Sequence, residues 1–197
     1  MRSRIAVLVS GRGSNLQAIL DYLDRSSGRA SYEVAAVISN RADAPALDIA
    51  RSRGIPAATV DSDPTGERLL AALDENRIDL VALAGYLKKI PETVIDAYAR
   101  RIVNVHPALL PAHGGPGMYG SRVHESVLAA GEQETGVTVH LVDADYDSGP
   151  IVAQWVVPVH EGDDAHSLAA RVLELEHALY PRALDLIATL HQRNNES

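Results

Sequence analysis

The sequence predicts an α/β domain on a doubly wound, mostly parallel sheet, with an antiparallel strand pair near the C-terminal third. Three observations carry this reading. Short continuous apolar runs alternate with segments of helical period through the first two-thirds of the chain. Two Val-rich runs after residue 136 are separated by one polar turn, which suits a hairpin better than a crossover. The chain has 197 residues, 46% of them hydrophobic, enough for one core and short for two.

The elements follow in order. Ile5 to Val9 is an apolar run stopped by Ser10-Gly11, the pattern of a strand covered on both faces. Leu16, Ile19, Leu20 and Leu23 keep helical spacing, and Gly28 closes that segment. Val34 to Ile38 reads as a strand, and Ala46 to Arg53 as a helix stopped by Gly54 and Pro56. Ala57 to Val60 is a short edge strand and Glu67 to Asn76 the next helix. Leu80 to Ala84 is another buried strand, and Pro91 suits the first turn of a helix over Glu92 to Ala99. Ile102 to His106 is a strand ended by Pro107. Such alternation implies parallel strands joined by right-handed crossovers. Residues 108–122 form a long Gly/Pro loop without apolar period, a length usually tied to function. A helix from His124 to Ala130 and strands over Val137 to Val142 and Ile151 to Val157 come next. Leu168, Val172, Leu175, Leu179, Leu184 and Ile187 mark a long closing helix, expected to bend near Pro181. The tail over 192–197 is expected to fray, and the whole of 1–197 to form one domain.

Composition narrows the chemistry. Without Phe, and with one Trp and seven Tyr, the chain lacks the aromatic platform of single-strand nucleic-acid binders. The balance of 18 basic and 26 acidic residues, net −8, argues the same way. The absence of Cys excludes disulfides, thiolate metal sites and thiol nucleophiles. No apolar run approaches the roughly 20 residues of a membrane span. The first residues run straight into a strand, so a cytoplasmic location without a secretory signal is expected.

Three groups of residues carry candidate chemistry. Ser10-Gly-Arg-Gly-Ser-Asn15 lies where the first strand meets the first helix. Backbone N–H groups and the helix dipole there suit a phosphate at Gly13, Ser14 and Asn15. Gly-x-Gly alone also fits a tight turn capped by Ser14, and neither the dinucleotide fingerprint nor a Walker loop is complete. Asn104 and His106 are two apart on a strand end, so they share a face at the edge where open α/β sheets place ligands. An amide and an imidazole so placed can stabilise an oxyanion and manage a proton. A carboxylate for the imidazole could come from Asp143, Asp145 or Asp147 in the turn ended by Ser148-Gly-Pro150, and spacing does not choose among them. His140 on the preceding strand reads as a packed, hydrogen-bonded residue. Neither a Gly-x-Ser-x-Gly elbow nor His-Glu-x-x-His occurs, and the eight His fall at no evident zinc spacing. The set suits direct transfer between two bound substrates without a metal.

From Ile5 to about Ala188 the chain resembles the folate-dependent phosphoribosylglycinamide formyltransferases of purine synthesis. The likeness rests on ordered blocks: Val9-Ser-Gly-Arg-Gly-Ser-Asn-Leu-Gln-Ala-Ile19, Val37-Ile-Ser-Asn-Arg41, Leu83-Ala-Gly-Tyr86 and Val103-Asn-Val-His-Pro-Ala-Leu-Leu-Pro111. Gly136-Val-Thr-Val-His140, Asp147-Ser-Gly-Pro150 and Glu176-His-Ala-Leu-Tyr-Pro181 continue it. The resemblance implies a Rossmann-like formyltransferase fold that passes the formyl group of 10-formyltetrahydrofolate, as cosubstrate, to the amine of 5'-phosphoribosylglycinamide. It implies that Gly13, Ser14 and Asn15 hold the phosphate and that Glu176 reaches the ribose hydroxyls. Leu87, Lys88, Lys89, Ile90, Asn104 and Asp143 would border the folate, and Asn104, a protonated His106 and Asp147 would be catalytic. The implied partners are small molecules, not nucleic acid or membrane, for a monomer or homodimer. The sequence departs from the family pattern in three places. Leu87-Lys-Lys-Ile90 replaces the common Met-Arg-Ile-Leu. The stretch between Val60 and Leu69 is shorter than in many members, with no clear equivalent in the chain of an arginine that some use near the folate, and Ala112 to Gly120 is longer. A formyltetrahydrofolate hydrolase shares the Asn/His/Asp set but carries an N-terminal regulatory domain, and methionyl-tRNA formyltransferases carry an extra C-terminal one. A non-catalytic phosphate or nucleotide binder would need the glycine loop alone.

Overall fold

Ile5 to Val9 bury every side chain, and alternate residues feed two different cores. That is the signature of a strand with helices on both faces. The computed structural model describes residues 2–195. Within them the elements are β1 (Ser3–Val9), α1 (Ser14–Arg25), β2 (Tyr32–Ser39), α2 (Pro45–Ser52), β3 (Ala57–Thr59), α3 (Glu67–Glu75) and β4 (Leu80–Leu83). They continue as α4 (Glu92–Ala97), β5 (Ile102–His106), α5 (Ser121–Ala129), β6 (Glu134–Leu141), β7 (Ile151–Pro158) and α6 (Ala165–Asn195).

Among the described residues the strands form one sheet in the order β3-β2-β1-β4-β5-β6-β7. The pairs from β3 to β5 are parallel, whereas β6 is antiparallel to both β5 and β7. The strand order reverses between β1 and β4, which opens a crevice at their carboxyl ends. Ile5, Val7 and Val9 pack with Leu16 and Ile19 of α1, Leu47 of α2 and Leu184 of α6 on one face. Ala6 and Leu8 pack with Leu69 and Leu73 of α3 and Val94 of α4 on the other.

Along β5, Val103 and Val105 belong to the α1–α2–α6 core, as do Val137 and Val139 of β6. The opposite face of this pair carries Asn104, His106, Thr138 and His140, whose Cα atoms face each other as Asn104–His140 and His106–Thr138. The 108–120 loop and the 143–150 turn flank that polar face. The Leu110–Pro111 peptide bond in the loop is cis.

Several boundaries differ from expectation. Helix α5 begins at Ser121 and β6 at Glu134, each three residues early, because their first residues lack the apolar period. Helix α6 is continuous through Pro181 and reaches Asn195. The expected frayed tail is thus helical over 192–195, where Gln192 Nε2 donates to Ser31 O at 2.6 Å and Ser3 Oγ at 3.3 Å. Its last two positions, 196 and 197, lie outside the described residues.

Candidate active site

The glycine turn is shaped by close approach. Gly13 has φ +84 and is the N-cap of α1, and a Cβ there would lie 2.7 Å from that of Ala46. Only glycine meets both demands. Neither Ser14 nor Asn15 caps the helix; the cap makes no side-chain hydrogen bond. Ser14 is exposed, and its N-terminal position leaves the first N–H groups of α1 facing the cleft. Asn15 is buried and donates from Nδ2 to Glu176 Oε2 at 2.6 Å, joining the turn to α6 across 161 residues. Among the described residues Asn15 Oδ1 has no partner.

The strand-end pair sits on the polar face of β5. Asn104 donates from Nδ2 to His140 Nε2 at 3.0 Å, because His140 gives its Nδ1 hydrogen to Leu141 O at 2.9 Å. His106, only 3% exposed, donates from Nε2 to His113 O at 2.9 Å. Its Nδ1 lies 3.6 Å from Asp147 Oδ2, and His140 Nε2 lies 3.6 Å from Asp147 Oδ1. Both distances are too long for hydrogen bonds, and each becomes an ion pair only when its imidazole is protonated. Asp147 Oδ2 accepts from Gly115 N at 2.9 Å.

The turn holds its three aspartates differently. Asp143 Oδ1 accepts from Ser148 Oγ at 2.7 Å and Asp145 N at 3.1 Å, so it ties the turn together while lining the cleft. Asp145 is exposed. Asp147, at φ +56, turns inward to the histidines. Gly149 makes the return possible, since a Cβ there would lie 1.9 Å from Leu141 O.

Burial dominates the electrostatics. It pushes the His106 imidazole below its ordinary value, against the opposing pull of the Asp147 charge and the His113 carbonyl. The protonated His106 implied by the family likeness therefore differs from the state favoured here, which is neutral at pH 7. For Asp147 burial acts upward, but His140, the His106 charge and the Gly115 N–H outweigh it and hold the carboxyl below the usual range. Glu176 has only Asn15 to offset its burial and is pushed up to about 7.

One cleft of about 660 Å³ unites these groups with Leu87, Lys88, Lys89 and Ile90. That size accommodates small-molecule ligands. The 87–90 segment is pinned by Ser10 Oγ, which accepts from Leu87 N at 2.9 Å and donates to Asn40 Oδ1 at 2.5 Å. Ile90 is buried, Leu87, Lys88 and Lys89 are exposed, and Lys89 Nζ lies 5.8 Å from the Tyr146 ring centre. All the residues singled out from the sequence line this cleft. Sequence reasoning read His140 as packed and hydrogen-bonded, which it is, but missed its partner Asn104, and it missed His113 and His124. His140 would have shown itself only through the antiparallel register that sets it opposite Asn104. His124 is buried at the cleft with no partner for Nδ1 among the described residues. No group of three or more His, Asp or Glu among those residues is arranged to hold a metal ion, and no helix among them is long and apolar enough to cross a membrane.

Fold and site together define a doubly wound α/β protein with an amide–imidazole–carboxylate cluster beside a glycine-turn helix entry. The family model described as formyl transferase matches residues 3–184. The chain belongs to the formyl transferase family. It is 42% identical over 192 residues to the chloroplastic phosphoribosylglycinamide formyltransferase of Vigna unguiculata, covering 94% of this chain and 61% of that one. It thus spans less than two thirds of that relative. It is 39% identical over 190 residues to the phosphoribosylglycinamide formyltransferase of Escherichia coli K12, covering 93% of this chain and 86% of that one. The crystal structure of the phosphoribosylglycinamide formyltransferase of Anaplasma phagocytophilum superposes with a TM-score of 0.87 at 39% identity, covering 96% of this chain and 88% of that one.

Proposed function

We propose that this protein transfers the formyl group of 10-formyltetrahydrofolate to the amine of 5'-phosphoribosylglycinamide in purine synthesis, in the cytoplasm and without a metal. The relatives' names support this reaction. The single structural observation behind it is that the Asn104–His106–Asp147 cluster and the glycine turn line the same cleft.

Each part of the cleft has a task in this reading. Gly13, Ser14 and Asn15 hold the phosphate at the helix entry. Glu176 accepts from the ribose hydroxyls. Leu87 to Ile90 and the turn at Asp143 border the folate, with the apolar Leu87 and Ile90 against its rings. The folate supplies an electrophilic formyl carbon, and the ribosylglycinamide amine attacks it. Asn104 gives one Nδ2 hydrogen to His140 and has a second for the formyl oxygen as negative charge develops. His106, neutral at the start, takes up the proton the amine sheds, and ionised Asp147 stabilises the resulting imidazolium. As the tetrahedral intermediate collapses, the bond from the formyl carbon to the folate nitrogen breaks, that nitrogen takes the proton back from His106, and tetrahydrofolate leaves.

The test is an assay that offers ribosylglycinamide and water as competing acceptors. Formyl transfer that requires ribosylglycinamide is expected, and folate deformylation indifferent to it would overturn the reading. In the same assay Asn104→Ala and His106→Ala are each expected to lower kcat by roughly a hundredfold or more.

A further inference from the structure

The contacts of His106 are made by the loop, whose start is tied to Thr138 and Gln154 at Ala108 and Leu110 and whose turn at residue 113 is tied by the His113 ring. His113 has φ +56, a left-handed conformation disfavoured for any residue with a Cβ. It is followed by Gly114 and Gly115, which give the backbone freedom to turn away. What holds the conformation is the ring. Nδ1 of His113 is hydrogen-bonded to Ser126 Oγ of α5 at 2.8 Å, and its Nε2 lies 3.5 Å from Glu132 Oε1. The His113 side chain is 13% exposed, so water competes little at its bond to Ser126, and more at Glu132, which is 47% exposed. The carbonyl of this residue receives the His106 Nε2 hydrogen, and two residues on Gly115 N reaches Asp147 Oδ2. One anchored turn thus grips both members of the imidazole–carboxylate pair. At Gly114 between them a Cβ would lie 2.5 Å from Leu110 Cδ2 and 3.1 Å from Asp147 Cβ, so the close approach of the turn to Asp147 requires glycine.

We infer that His113 is a positioning residue: its ring, seated between Ser126 and Glu132, sets the carbonyl that fixes His106 with its hydrogen on Nε2. Nδ1, facing Asp147, is then the nitrogen that exchanges a proton. This inference rests on the reading of His106 as the proton-transfer group. A backbone carbonyl is suited to the task, since it only accepts and so admits a single neutral tautomer. The charged and titratable groups that face His106 are Asp147 of the turn, His140 of β6, His113 of the loop and His124 of α5. Those facing His113 are Glu132 and His106. Loss of the ring's seat frees the carbonyl, and the Nδ1–H tautomer, which would point its hydrogen at Asp147, becomes accessible.

Imidazole nitrogen chemical shifts of the full chain at pH 7.5, with steady-state kinetics alongside, test this. In the wild type His106 is expected as the Nε2–H tautomer alone. In His113→Phe and Ser126→Ala it becomes a mixture of tautomers, and kcat falls by about tenfold to a hundredfold while KM stays within about twofold. Ser126→Thr, which restores a hydroxyl at the same place, returns both readouts to wild-type values. Ser126→Ala keeps the test available where His113→Phe does not fold, because alanine favours the helix that carries it. A single Nε2–H tautomer in either folded variant overturns the inference, whatever happens to kcat. A wild type that shows the tautomer but no formyl transfer sinks the functional reading and leaves the positioning role standing.

Discussion

Glu176 is a carboxyl in a nearly dry place with one amide for company, and pH governs what it can do. Its proton is held to about pH 7 against an ordinary 4.5, because burial penalises the charge and Asn15 offsets only part of that penalty. Below about 4.5 both folded and unfolded chains carry the proton, and the stability from its tighter hold is complete; it is lost as pH rises through about 7. The ionised form is the better acceptor for ribose hydroxyls. KM for ribosylglycinamide is therefore expected to fall as pH rises through about 7. In Glu176→Gln it should be raised and flat over the same interval, and steady-state titration from pH 6 to 8 checks both. Nothing in the helical period marks this residue, whose partner is 161 positions away; family likeness alone pointed to it. Asn104 and His106 were legible because two-residue spacing on a strand sets a shared face. The choice of Asp147 over Asp143 and Asp145 came from family likeness; the left-handed turn at residue 147 that brings it inward is displayed by no spacing rule.

Helix α6 owes its alignment over the sheet to Tyr180 as much as to its apolar stripe. The Tyr180 hydroxyl, fully buried, is shared between Leu83 O and Val103 O at 3.0 Å each, at the end of β4 and within β5. Tyr180→Phe leaves the ring packed but both carbonyls without that donor. A loss of about 1–2 kcal/mol is expected, which lowers Tm by roughly 2–8 °C in calorimetry while turnover changes little. At this scale the sequence was most readable where both faces of a strand are covered, as in β1 and β4, whose apolar runs are unbroken. It was least readable at Glu134-Thr-Gly136, a polar start to β6 that the ladder with β7 holds in place. The pairing of β5 with β6 decides the site, yet register depends on contacts between distant segments and leaves no local trace.

Taken as a whole, the molecule carries several imidazoles that resist charging. His106, His124 and His177 are all lowered, each mainly by burial. The unfolded chain binds their protons more readily than the folded one, so their contribution to stability is present above about pH 6.5 and is lost as pH falls below it. Glu176, pushed up to about 7, works in the opposite sense over part of that interval. In Glu176→Gln, where that opposing group is gone, a fall in Tm between pH 7 and pH 5 is expected from a calorimetric series, and a Tm that rises on acidification would contradict it. The polar face of β5 and β6 has a broader consequence. Its reactive groups replace no member of the apolar cores, since the alternate residues of the same strands fill those. Asp147→Asn, which suits a left-handed backbone, is expected to abolish most turnover while shifting Tm by no more than a few degrees. Folding and chemistry thus rest on different residues in this architecture: a substitution on the polar face can retune or silence what the chain does to its ligands without removing anything from the cores. On the proposed function, the same partition makes an inert yet well-folded version a practical means of trapping both substrates together.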